Sequence, residues 1–155
     1  MPVEFLTPDQ RRRYGCYTED PSPQQLARYF HLDDRDQQLI ARCQREHTRL
    51  GFAIQLGTVR FLGTFLPDPT AVPATVVAYV AQQLGIPDVT CLAQYRTRDT
   101  HWDHVAEIQR TYGYRDFRDP REVFRLVRWL YSRAWLSAER PSVLFDLATA
   151  RLVER

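Results

Sequence analysis

The sequence predicts an all-α chain made of two small helix-turn-helix-like units joined by a proline-rich linker. Three observations predict it: residues that start and stop helices recur along the whole chain, apolar residues between them fall at helical spacing, and alternating strand patterns are few.

The elements follow in order. Thr7-Pro8-Asp9-Gln10 supplies a capping threonine, a proline at the first helical position and a glutamine at the third, with Gly15 placed to end the turn. Ser22-Pro23-Gln24-Gln25 repeats that pattern ahead of "LARYFHL". Asp33 is placed to cap "DRDQQLIARCQ", a helix over 34–44 in which Leu39, Ile40 and Cys43 share helical spacing. The stretch "REHTRLGFAIQLGTVRFLG" predicts the next helix, over 48–62. "TFLPDPTAVP" then carries three prolines in ten residues and no continuing register, so the chain divides there. The first unit is 1–64, the linker 65–73 and the second unit 74–155. In the second unit Pro73 starts "ATVVAYVAQQL" with Gly85 as its stop, and Asp88 starts "VTCLAQY". Asp99 or Thr100 caps "HWDHVAEIQRTY" before Gly113, and Asp119-Pro120-Arg121-Glu122 opens a long helix to about Trp135. Pro141 begins a last helix, "SVLFDLATARLVER", still amphipathic at the end of the sequence, which reads as the front of a longer protein.

Composition bounds the function. The chain has 155 residues, 44% of them hydrophobic and 12% aromatic, enough to build a core. No uninterrupted apolar run approaches the roughly 18 residues of a membrane span, and "MPVEFLTPDQRRRYG" has acid, proline and a basic triplet where a secretory signal needs an apolar stretch. The expectation from composition is a soluble, intracellular protein with no membrane partner. Cys16, Cys43 and Cys91 are odd in number and unpaired in spacing, so no disulfide framework or zinc ribbon is indicated. A net charge of +2 does not by itself announce a nucleic-acid partner. Yet every one of the 21 basic residues is arginine, a planar, multi-donor cation suited to phosphate and guanine; biased coding composition is the plainer explanation.

The helix over 48–62 raises the sharpest question. On a helical projection Thr48, Gly51, Gln55 and Thr58 form one stripe, while Leu50, Ile54, Gly57 and Phe61 form another. One reading places the bare stripe in a DNA major groove, with His47, Thr48 and Arg49 at the positive helix end on phosphates. The other is a helix buried on two sides, with Gly51 and Gly57 admitting close neighbours; Phe52, Leu56 and Val59 on a third side favour it.

Other clusters divide in the same way. Arg11, Arg12 and Arg13 suit an arm along a minor groove or backbone, or a solvated helix face. Arg96, Thr97, Arg98 and Thr100 lie at a second helix-turn-helix junction, where Asp103 and Glu107 oppose a DNA contact. Arg121, Arg125 and Arg128 form one stripe of the long helix and either line phosphates or pair with acids such as Glu122, the reading favoured here, with Phe124, Val127, Tyr131 and Ala134 on its packing side. Trp102, Trp129 and Trp135 read as core or helix-packing residues. His101-x-x-His104 lacks the partners of a metal site, and the nucleophile-elbow, Walker and dinucleotide motifs are absent. The chain reads as non-catalytic and without a cofactor.

The segments "MPVEFLTPDQRRRYG", "PSPQQLARYFHLDDRDQQLIARCQREHTRLGFAIQLGTVRFLGTFL", "RTYGYRDF" and "LVRWLYSRAWLSAERPSVLFDLATARLVER" resemble the N-terminal region of the large replicative transposases of the Tn-three family. The similarity runs over essentially all 155 residues, with "HTRLGFAIQLGTVRFLG" its most specific part. The resemblance implies helical modules, similar to tandem helix-turn-helix units of the centromere-protein-B type, that recognise the terminal inverted repeats of the transposon. It implies a DDE catalytic core with magnesium elsewhere in the full-length protein, so no carboxylate here inherits a catalytic role. It also implies double-stranded DNA and the rest of the transposase as partners, with a homodimer compatible with the full-length form. Carried over by position as DNA contacts are Arg11, Arg12 and Arg13, then His47, Thr48, Arg49, Gln55 and Arg60, joined by Thr58 from the bare stripe, and Arg96, Thr97, Arg98 and Thr100. The competing expectation is a non-catalytic interaction or oligomerisation module of the transposase.

Overall fold

Ser22 and Asp33 each begin a helix through a reciprocal capping box. The Ser22 hydroxyl accepts from the Gln25 N–H while the Gln25 side chain accepts from the Ser22 N–H; Asp33 and Asp36 exchange the same bonds at 2.8 and 3.2 Å. The computed structural model in which these caps lie describes residues 7–96, 100–115 and 118–153. Its helices are α1 (Pro8–Arg13), α2 (Pro23–Tyr29), α3 (Asp34–Ile40), α4 (Glu46–Leu62) and α5 (Ala74–Leu84), then α6 (Ala93–Arg96), α7 (Thr100–Tyr112), α8 (Pro120–Leu136) and α9 (Pro141–Val153). A 3-10 turn, Val89–Leu92, leads into α6, and no strand occurs among the described residues. The chain is all-α.

Boundaries shift where the backbone tightens or turns at a helix end. α3 stops at Ile40, short of residue 44, because the Arg42 and Cys43 N–H groups tighten onto the carbonyls of Leu39 and Ile40 and turn the chain. α4 starts two residues early, at Glu46, and stops where Gly63 takes a φ of +73° that a side chain would resist. Among the described residues, no single helix is long and apolar enough to cross a membrane.

Helix α4 is the axis of the core. Leu50, Phe52, Ala53, Ile54, Leu56 and Val59 leave solvent on every side of it, and α2, α3, α5, α6, α7 and the 3-10 turn pack around it. The same cluster joins Phe30, Leu32, Leu39 and Ile40 to Val76, Val80, Ile86, Leu92, Tyr95 and Ile108. Residues on both sides of the proline-rich segment 65–73 therefore share one core.

The last two helices behave differently. α8 packs on α9, and α9 touches α4; Tyr14 meets Phe145 edge-on at 4.7 Å and donates to Asp146. α8 buries Leu126, but the side expected to pack is open: Phe124, Val127 and Tyr131 are 67%, 55% and 66% exposed, and Ala134 is exposed too. Of the tryptophans, Trp129 is half-buried beneath Arg151, whereas Trp102 and Trp135 stand in solvent, contrary to the expectation of packing. Helical spacing shows that residues share a face but not that a neighbour covers it.

Candidate nucleic-acid interface

The small residues of α4 are small because aromatic rings lie against them. A Cβ on Gly51 would sit 2.4 Å from the Tyr95 ring, and one on Gly57 would sit 2.2 Å from the Phe30 ring. The bare stripe is thus a packing surface for α6, and Gly57 on the neighbouring stripe seats the chain just beyond α2. Gln55 is 4% exposed and donates to the Tyr95 hydroxyl at 2.5 Å and to the His101 carbonyl at 3.3 Å. The Tyr95 hydroxyl shares a 2.7 Å hydrogen bond with His104 Nδ1, and His104 Nε2 faces the Cys43 sulfur at 3.7 Å. This chain of polar groups ties α4, α6 and α7 together inside the core. Burial lowers the His104 pKa against the pull of Glu107 and Asp103, keeping the imidazole neutral. Burial, with Glu107, pushes the Cys43 thiol up to about 11, which makes it an inert thiol rather than a nucleophile.

The other α4 candidates have structural partners as well. Thr58, 2% exposed, shares a 2.8 Å hydrogen bond with the Tyr17 hydroxyl, whose pKa burial raises to about 12. Arg60 donates to both carboxylate oxygens of Asp36 at 2.8 Å, and the Tyr112 hydroxyl donates to the same carboxylate. Burial pushes the Asp36 carboxyl upward, but Arg60 and Tyr112 outweigh it and hold the group below its ordinary value. His47 is 5% exposed, and Thr48 spends its hydroxyl on the Arg45 carbonyl and N–H at the helix start. The groove reading of α4 is therefore corrected: His47, Gln55 and Thr58 face the interior, Arg60 is committed to Asp36, and Thr48 caps its own helix. Freeing α4 to enter a groove would expose several large apolar side chains at about 1.5–3 kcal/mol each. A good bidentate base contact returns only about 1–3 kcal/mol.

What remains accessible is smaller and lies elsewhere. Arg13 is exposed at the end of α1 and Arg49 is half-buried near Cys43. Arg96, 70% exposed at the side chain, ends α6 and pairs with Asp68 at 3.2 Å. The Asp68 carboxyl is held below its ordinary value chiefly by the Thr70 hydroxyl, with Arg96 and His101 contributing. Thr100 opens α7, half-buried, and the helix then exposes Trp102, Asp103, Ala106 and Arg110. The structure does not gather Arg13, Arg49 and Arg96 onto one helix. Thr97 and Arg98, and the side chains of Arg11 and Arg12 within α1, lie outside the described residues. Among the described residues no three His, Cys, Asp or Glu side chains converge as a metal-ligand group.

Sequence reasoning missed the organising residues Tyr95, Asp36 and Tyr112. Asp36 was readable only as a helix-start charge, and no local pattern connects a carboxylate to an arginine 24 residues away.

The chain matches the family described as a domain of unknown function, DUF4158, over residues 5–155. It is 53% identical over 155 residues to the transposase for transposon gamma-delta of Escherichia coli (strain K12), which covers 99% of this chain and 16% of that protein. It is 35% identical over 115 residues to the transposase for transposon Tn1546 of Enterococcus faecium, covering 74% of this chain and 11% of that protein. The transposase for transposon Tn501 of Pseudomonas aeruginosa is 36% identical over 104 residues, covering 63% and 10% respectively. The chain thus spans 16% or less of the length of these relatives.

Proposed function

Since the chain belongs to the DUF4158 family and matches the N-terminal part of Tn-three family transposases, we propose that it is the non-catalytic DNA-recognising domain of a DDE transposase, binding double-stranded DNA at transposon terminal inverted repeats. The observation that carries this reading is the 53% identity to a transposase along 99% of the chain. In this reading bond-making, with its magnesium, belongs to polypeptide outside these 155 residues. The chain itself needs no cofactor and works in the bacterial cytoplasm on the nucleoid, and homodimerisation belongs to the full-length protein.

The geometry supports a particular division of labour. The helix presented to DNA is α7, whose outer side carries Trp102, Ala106 and Arg110, and not the buried α4. Arg96 and Thr100, with Thr97 and Arg98 between them, lie at the junction that would meet phosphate, and Arg11, Arg12 and Arg13 supply a second cationic anchor. Among the α4 candidates Arg49 keeps partial access to solvent without the commitments of Thr48 to its own helix start and of Arg60 to Asp36. Asp103, exposed beside Trp102, repels phosphate and so limits α7 to approaches that keep this carboxylate off the backbone. Anisotropy titrations of end and scrambled duplexes at several salt concentrations test the reading.

A further inference from the structure

Helix α8 presents to solvent a seam that has the pattern of a helix-packing interface. Arg121, Phe124, Arg128, Tyr131 and Trp135 recur at alternating steps of three and four residues, which puts them on one stripe with a 3.5-residue period. Phe124, Tyr131 and Trp135 are 67%, 66% and 76% exposed, and Val127 and Leu136 at its border are 55% and 87% exposed. Tyr131 and Trp135 already hold each other at 6.0 Å between ring centroids, so the surface is partly ordered in advance. Large side chains clustered and exposed in this way mark an interaction surface rather than the scattered apolar residues of an ordinary exterior.

Charge then narrows the occupant. Arg125 pairs with Glu122 at 2.9 Å and Arg133 with Glu139 at 3.4 Å, so the arginines off the seam have acids. Arg121 and Arg128, which are on it, make no ion pair among the described residues. We propose that this face of α8 docks an amphipathic helix carrying carboxylates about seven residues apart, supplied by the polypeptide that accompanies this domain in its longer transposase relatives. Apolar residues of that helix cover Phe124, Tyr131 and Trp135, and its acids meet Arg121 and Arg128 as they lose water. A second copy of α8 fits poorly. A parallel pair sets both seam arginines against themselves, and an antiparallel pair centred on the seam sets Arg128 against Arg128. DNA fits poorly too, because Val127 and Leu136 add apolar surface that phosphates do not cover.

The proposal rests on the transposase reading for the source of the helix, and its test needs no DNA. Hydroxyl-radical footprinting read by mass spectrometry compares the 155-residue chain with a chimera in which it replaces the matching N-terminal stretch of the gamma-delta transposase. Phe124, Tyr131 and Trp135 are expected to lose reactivity about tenfold in the chimera, from two-thirds exposure to that of a packed interface core. Arg121→Glu with Arg128→Glu restores it while leaving the thermal transition of the isolated chain in place. Equal reactivity in both proteins overturns the proposal. So does protection of the isolated chain that grows with its own concentration, which points to a second copy, or protection that needs added duplex, which points to DNA. Loss of end-duplex binding with the footprint intact would fault the DNA reading and not this one.

Discussion

Arg60 and Asp36 form a two-pronged ion pair, both contacts at 2.8 Å, that fastens the end of α4 to the start of α3, with the carboxylate wholly out of solvent. Tyr112 completes the site from α7. A residue carried over as a DNA contact is thereby a structural clamp. Arg60→Ala leaves a buried carboxylate without its cation and is expected to destabilise the chain by about 3–5 kcal/mol. Urea unfolding at neutral pH measures this. End-duplex affinity of the fraction that stays folded is expected to match the unmodified chain.

The same clamp gives an acid limb to stability. The folded-state Asp36 carboxyl sits below its ordinary value of 3.8, so its contribution is fully present above that value and is lost as pH falls through the lower folded one. Unfolding curves of the unmodified chain and Asp36→Asn are expected to keep their separation above pH 3.8 and to converge as pH falls below it.

His104 acts at milder pH. Burial lowers its pKa below the ordinary 6.5, so the unfolded chain takes up a proton that the folded chain refuses. Stability is fully present above 6.5 and erodes as pH falls from there toward the folded value, at up to about 1.4 kcal/mol per pH unit. His104→Gln is expected to be less stable at pH 8 but to have a flatter profile between pH 7 and pH 5. Equal slopes would mean that His104 is not the group responsible.

Gly51 and Gly57 test the reading of α4 as a packing axis. Alanine at either position gains helix propensity of about 1 kcal/mol. Its Cβ, however, meets the Tyr95 or Phe30 ring at 2.4 or 2.2 Å, and overpacking costs about 1–3 kcal/mol. Both single variants are expected to be less stable. Phe30→Leu is expected to recover part of the Gly57→Ala loss in a double-mutant cycle, because the smaller side chain makes room.

Much of the local structure was legible because capping is local. Ser22 with Gln25, Asp33, Asp119 with Pro120, and Gly85 each act within a few residues, and the helices start or stop where these residues stand. The candidate site was less legible because a bare stripe has the same signature whether a base edge or an aromatic ring will cover it. Only the fold brings Tyr95, 44 residues along the chain, onto Gly51. On α8 helical spacing groups Phe124, Val127 and Tyr131 on one face, but the expected cover is missing among the described residues, because packing is not encoded in periodicity. Of Arg121, Arg125 and Arg128, all expected to pair with acids, Arg125 alone does so among the described residues, with Glu122 one helical turn away, because that pair needs only local spacing.

Arg96 and Gln55 make the most direct comparison. Gln55→Ala removes a buried hydrogen bond and is expected to lower the unfolding temperature without changing end affinity in the folded chain. Arg96→Ala removes an exposed pair with Asp68 worth little to stability, and it is expected to weaken duplex binding and reduce the salt slope by about one. The measurement is fluorescence anisotropy of the two variants and the unmodified chain on the terminal inverted repeat of the encoding element and on a scrambled duplex, across salt concentrations near physiological. The account predicts a preference for the end that persists as salt rises, retained in Gln55→Ala and weakened in Arg96→Ala. Equal binding to both duplexes that vanishes with salt, or loss of end preference in a folded Gln55→Ala with Arg96→Ala unaffected, would contradict it.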